Sequence, residues 1–368
     1  VARTLIVAGL FALLVLGTGD AAAPDAAPGS ERPGIWLSHA QIRELPISGQ
    51  AWLRLERAAA EPAGHANVSD QDSDHDVLTL AKALVYARTG EARYRTEVRH
   101  ACESAIGTDM GGRTLALGRN LASYVIAADL VGLPAEEDDK FKSWLKRALT
   151  RELEGKTLKS TQEIRPNNWG AHASASRAAV AAYLGDREEL ERTALVFKGW
   201  LGDRDSWSSF EYGDRSWQAD PERPVGINPQ GAERKGQNVD GLVPDDMRRG
   251  GPFAFPPVKT DYPWGSIGGA AVCAEILSRQ DYDAWNWEDR ALLRATDAMY
   301  RLSQRYPRDG WWADEDDAWV VWLVNHVYGS DFPTAPAARP GKNMGWTDWT
   351  HAGTRAAPDT TATGSTGT

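Results

Sequence analysis

The chain has 368 residues, 42% of them hydrophobic and 25% charged, which is the profile of a folded protein with a sizeable core and excludes general disorder. Its 51 Asp plus Glu outnumber 41 Lys plus Arg, for a net charge of -10. That balance argues against nucleic acid as a partner, and it requires any site for an anionic ligand to be a local concentration of basic residues.

At the start, "VARTLIVAGLFALLVLGTGDAAAPDAA" places Arg3 before an apolar run from Leu5 to Leu16 and small residues around Ala21 to Ala23, the layout of a secretory signal peptide. The run is shorter than the roughly 20 residues of a membrane span. Residues 1–30 are therefore set aside as signal peptide and linker, and a secreted protein free of the membrane after cleavage is expected. Residues 31–335 read as one helical domain and 336–368 as an extension, disordered at its Thr-, Gly- and Ala-rich end from Ala352.

Within the domain, apolar residues recur at spacings of three and four with few alternating runs, so the expected class is all-α. "HDVLTLAKALVYARTG" stops at Gly90, where a C-cap glycine belongs, and "RTLALGRNLASYVIAADLVGLP" stops at Gly132 and Pro134. Further helices are expected at Ala135–Leu153, Asn168–Leu184, Arg187–Leu201, Trp264–Arg279, Trp287–Tyr306 and Asp314–Tyr328. Paired helices with short turns close into an α/α toroid or stack as an open solenoid, and periodicity does not separate the two. One connection, from about Gly202 to Tyr262, exceeds the about 12 to 15 residues usual in a compact domain. It carries Trp207, Phe210, Tyr212, Trp217, Phe253 and Phe255, too aromatic for a disordered linker.

Three polar clusters carry possible chemistry. "SDQDSDHDV" spaces Asp70, Asp72, Asp74 and Asp76 at alternate positions as a calcium loop does, but without that loop's glycine and terminal glutamate. Acidic N-capping of the helix after His75 is the simpler reading, with a substrate-facing His75 left open. "RPNNWGAHASAS" starts a helix with Pro166 and a capping Asn167. Asn168 and His172, four apart, share a face there, and Ala173, Ser174, Ala175 and Ser176 leave room above it. The bland alternative makes His172 a satisfied core residue. "DDMRRGG" then sets Arg248 and Arg249 in a Gly-rich loop before Lys259 and Tyr262, a fork for a carboxylate or phosphate unless one arginine pairs with Asp245 or Asp246.

Neither CxxC nor HExxH occurs, so no metal or other cofactor is expected. Cys102 and Cys273 read as two buried free thiols, or as one bridge if the fold brings them close. Most of the 16 Trp belong to the core; Trp169, Trp207 and Trp264 adjoin the polar clusters and are candidate sugar platforms.

"PGIWLS", "LALGRNLASYVIAADL", "RPNNWGAH" and "DDMRRGG" followed by "DYPW" resemble the exported bacterial alginate lyase-like proteins, which include lyases for alginate and for β-1,4-glucuronan. The resemblance spans nearly all of Pro33 to Phe332 and implies an incomplete α/α toroid, with the long aromatic-rich connection as its active-site loop, that cleaves polyuronates by β-elimination. It further implies that Asn168 meets the substrate carboxylate beside Arg248 or Arg249, with Tyr262 at the scissile bond. Asn167, Arg248, Trp169, Lys259, Trp264, Trp207 and His75 are then expected to bind substrate. Better-known alginate lyases carry His directly after the second Asn; here that position is Trp169, and His172 is the nearest imidazole.

Such an elimination needs the carboxylate neutralised, a base at C-5 and an acid at O-4. In β-linked mannuronate or glucuronate the two groups leave from the same side, so one tyrosine serves both if a nearby cation lowers its ordinary pKa of about 10. His172 is the candidate helper base. The expected catalytic set is Tyr262, His172, Asn168 and Arg249, acting as a monomer on an acidic polysaccharide. Two rivals remain at this level: a hydrolase using Glu211 or Asp214 with Asp245, which for inversion needs carboxylates about 6.5 to 9.5 Å apart, and a non-catalytic acidic-glycan binder.

Overall fold

The protein is described by a computed structural model over residues 34–336 and 344–353. The expected signal peptide and nearly all of the tail beyond Ala352 lie outside these residues. The described chain is all-α, with helices α1 (His39–Glu44), α2 (Gly49–Ala60), α3 (His75–Thr89), α4 (Ala92–Ala105), α5 (Thr114–Val131), α6 (Ala135–Thr150), α7 (Leu158–Ile164), α8 (Asn168–Leu184), α9 (Arg187–Leu201), α10 (Pro244–Met247), α11 (Tyr262–Ser278), α12 (Trp287–Arg305), α13 (Ala318–Tyr328) and α14 (Thr347–Thr350). A two-residue hairpin, Glu233–Arg234 with Gln237–Asn238, is the sole sheet among the described residues.

Sequence sorts the helices into two kinds. In α3, α5, α8 and α11 apolar and small residues occupy nearly every position, and all faces are buried. In α2, α4, α6 and α12 the apolar residues form one stripe and the opposite face is charged and wet, as expected of surface helices. The buried helices lie side by side in the order α3, α5, α8, α11. Neighbour contacts continue from α11 to α13, to α14 and back to α2, which packs on α3.

Close approach in this row rests on missing side chains. A Cβ at Gly118 would come within 3.0 Å of Ala173 N, and one at Gly269 within 2.6 Å of Ala171 C. The alanines and serines after His172 therefore make room for α5 and α11, not for a ligand as expected from sequence. Ser176 shows the consequence, its Oγ donating to Gly118 O at 2.7 Å across the α5–α8 contact.

The last described segment belongs to this body. Trp346 Nε1 donates to Val77 O at 3.0 Å, Trp349 Nε1 to Pro46 O at 2.8 Å, and Arg54 pairs with Asp348 at 2.5 Å. Cys102 and Cys273 are free and buried, and burial pushes both thiols up to about 12, where they are inert. Among the described residues no helix is long and apolar enough to cross a membrane.

The connection from residue 202 to 261 is ordered by its own aromatics. Trp217 is buried against Phe253 and Phe255, with ring centroids 4.9 and 5.8 Å away, and its Nε1 donates to Gly251 O at 2.8 Å. Backbone bonds pin both flanks to the body, Glu211 N to Ile164 O at 2.8 Å and Gly226 N to Trp200 O at 3.0 Å. Arg294 of α12 donates to Asn228 O and Asp240 Oδ1, each at 2.7 Å. These contacts hold the segment against the body beside the site it borders.

Candidate active site

The α8 start is built as its sequence suggests. Pro166 precedes Asn167, whose Oδ1 accepts from Trp169 N at 3.2 Å as an N-cap, while its Nδ2 donates to Asp245 Oδ2 at 2.9 Å. Asn168 is the first helical residue, and its N–H is taken by Asp246 Oδ1 at 3.3 Å. The side-chain Oδ1 of Asn168 is buried and accepts no hydrogen bond among the described residues.

The two aspartates bind this helix end to the long connection. Asp245 accepts from Gly213 N at 3.1 Å and from Arg248 Nε and Nη2 at 2.8 and 3.1 Å, in addition to Asn167. Asp246 accepts from Ser266 Oγ on α11 as well as from Asn168 N. Burial, with the Asp245 charge beside it, pushes the Asp246 carboxyl up to about 8. One dipeptide therefore fastens α8, the loop and α11 together.

Tyr262 opens α11 and stands partly in solvent, 38% exposed. Arg249 lies over its ring, 4.1 Å from the centroid, and donates from Nη2 to the hydroxyl oxygen at 3.1 Å. The two adjacent arginines thus divide: Arg248 is a bidentate partner of Asp245, and Arg249 attends the phenol.

These groups share one cavity of about 370 Å³, lined by Gln71, Arg113, Leu115, Arg119, Arg165, Asn167, Asn168, Trp169, Arg248, Arg249 and Tyr262. Five of the eleven lining residues are arginine and none is Asp or Glu, a local reversal of the chain's acidic balance. The hydrolase candidates are elsewhere: Asp245 is saturated behind the wall, and Glu211 and Asp214 are exposed outside the lining.

Several expected residues do not reach the cavity. His172 is 2% exposed, one turn below Asn168 and enclosed by α5 and α11. Burial, aided by the Arg119 charge, holds its imidazole well below the usual range, so it is neutral and a poor proton acceptor. His75 is buried and hydrogen-bonded to Tyr124 Oη, which removes it from any substrate-facing role. Trp264 is 2% exposed with Nε1 donating to Trp311 O at 2.9 Å, so neither ring face is open to a sugar. Trp207 packs on Gly199, donates to Glu163 O at 2.9 Å and is covered by Arg192. Lys259 pairs with Asp261 outside the lining. Trp169 is the one tryptophan in the wall, with the Arg165 guanidinium 5.7 Å from its ring.

In "SDQDSDHDV" Asp70 closes a turn onto Asp72 N at 3.0 Å, and Asp74 stands at the α3 N-cap position without a side-chain capping bond. Among the described residues no group of three or more His, Cys, Asp or Glu is placed to hold a metal ion.

Arg113, Arg119, Arg165 and Gln71 were not singled out from sequence. The available signal was Arg119, a lone cation inside the apolar run "LALGRNLASYVIAADL".

Residues 62–205 match the family model described as alginate lyase, a span from just before α3 to the end of α9 that includes Arg119, Asn167, Asn168 and Trp169. No curated protein matches the chain. Over these residues the chain is similar to alginate lyases, and that similarity, with a basic cavity built on the paired asparagines, supports a polysaccharide lyase of the alginate lyase-like superfamily.

Proposed function

We propose that the protein cleaves a β-1,4-linked polyuronate, glucuronan or mannuronate-rich alginate, by β-elimination, leaving an unsaturated uronate at the new non-reducing end. The observation that carries this is the wall in which Asn168 and Tyr262 meet five guanidiniums, Arg249 among them, and no carboxylate. Such a wall attracts a polyanion and stabilises the negative charge that grows on the substrate carboxylate as the C-5 proton leaves. It supplies no acid–base carboxylate pair of the kind most glycoside hydrolases use.

In this reading the Asn168 amide donates to the uronate carboxylate and a guanidinium shares its charge. The Tyr262 oxygen takes the C-5 proton and returns a proton to O-4 as the C4–O4 bond breaks, so one group on one face performs both transfers. Arg249, seated on the ring and bonded to the oxygen, supports negative charge there during the exchange. The succession of helical neighbours supports an α/α toroid as the frame, with the cavity at the N-terminal ends of α8 and α11. We include export in the proposal, on the layout of residues 1–23.

Incubation with defined polyglucuronate, polymannuronate and polyguluronate tests it. Elimination creates a conjugated chain end that absorbs in the ultraviolet. New reducing ends without that absorbance would identify a hydrolase, and binding without either product a lectin-like role.

A further inference from the structure

Resting on that reading, we infer that Arg119 of α5 is the guanidinium that receives the substrate carboxylate opposite Asn168. The arginines expected for this task are engaged. Arg248 has both its Nε and Nη2 on Asp245, and Arg249 has its guanidinium carbon 4.1 Å from the Tyr262 ring centroid and Nη2 on the hydroxyl. Arg119 lines the same cavity, yet among the described residues no hydrogen bond or ion pair within 4 Å reaches its guanidinium, and its Nε is fully buried.

Its surroundings place it at the reacting centre. It lines the wall that also holds Tyr262, Asn167 and Asn168, and its charge acts on His172, the residue one turn below Asn168. The carboxylates of Asp317, Asp72 and Asp316 act on it only through space. Burial of a cation without a bonded partner costs stability unless an anion arrives. A fixed position on a helix buried on all sides, and an open fork of donors, fit a carboxylate bound in two-pronged fashion. By contrast Arg113, at the rim, is largely exposed and 4.0 Å from Glu154.

The test compares free-acid polyuronate with its methyl ester, whose neutral carbonyl needs no countercharge. Arg119→Gln is expected to lower kcat/KM on the free acid by on the order of 10²–10³-fold. On the ester the loss is expected to stay below about tenfold, because the lost interaction is with charge. Arg119→Lys should recover part of the free-acid activity, and Arg308→Gln, at an exposed arginine outside the cavity lining, should change it little. The melting temperature of Arg119→Gln should equal or exceed that of the wild type. Equal losses on acid and ester, or a clear drop in melting temperature, would assign Arg119 a structural role and overturn the inference. A wild-type protein that forms no unsaturated ends from any polyuronate would instead overturn the proposed function itself.

Discussion

Replacing Tyr262 by Phe removes a single oxygen, and the structure separates its effects on folding and on rate. The side chain is 38% exposed, and its hydroxyl has one hydrogen bond, accepted from Arg249 at 3.1 Å. The guanidinium contact with the ring, 4.1 Å to the centroid, survives in phenylalanine. Stability should therefore change by no more than about 0.5 kcal/mol, as for other exposed substitutions. Loss of one general acid–base group costs about 10²–10⁴ in rate, or about 2.7–5.5 kcal/mol at about 1.36 kcal/mol per tenfold. Because Tyr262 is assigned both proton transfers, the upper end is expected. The assay is the initial rate of ultraviolet absorbance on polyuronate, with substrate affinity measured separately by calorimetry. A variant that keeps kcat within a factor of about 3 refutes the assignment, since no second phenol lines the cavity.

Asn168→Ala should retain the fold and lower kcat/KM on the order of 10²-fold, as removal of one preorganised donor does, with Tyr262→Phe the more damaging of the two. Asp246 titrates from about 8 in the folded protein, far above a carboxyl in the unfolded chain, so the folded state binds the extra proton. The resulting stability is complete below about pH 4 and is lost as pH rises through about 8; thermal melts of Asp246→Asn should lack that decline. Chelator is expected to leave activity intact, and strong inhibition would return a metal to the Asp70–Asp76 turn.

Local chemistry was legible where the chain itself supplies the partner. Asn167 caps α8 and Gly185 ends it in the left-handed region at φ 65, so both bounds follow from residue type. The short, polar α7 has neither a stripe nor length to announce it, and its capping box at Thr157 and Ser160 is known only once folded. Exposure was the quantity the sequence concealed. Trp264 and Trp207 adjoin polar clusters, yet their indole N–H groups are satisfied inward by Trp311 and Glu163 carbonyls. His172 shares a face with Asn168, but four residues of helix descend about 6 Å, enough to leave the rim and enter the α5–α8–α11 packing. Arg119 was hidden for the opposite reason: within an apolar run it reads as a cation reaching for solvent, and only the convergence of α5 with α8 and α11 gives it a cavity.

The same convergence explains why a site whose lining runs from Gln71 to Tyr262 holds together. Packing of α8 on α11 already sets Asn168 beside Gly265, three residues after Tyr262, and leaves the loop that carries Arg248 and Arg249 to be fastened to both helices. Asp245 and Asp246 join them. The first neutralises Arg248 while holding Asn167; the second, surrounded by neutral donors, holds the Asn168 backbone against Ser266, one turn from Tyr262. Asp245 is ion-paired to Arg248, whereas Asp246 lies buried beside a like charge and retains its proton more readily. The wall therefore gains two anchors while its excess positive charge is diminished chiefly by one. That is the electrostatic condition a polyanion-cleaving centre needs, and it places the decisive chemistry of the loop in its acidic dipeptide as much as in the arginines that follow.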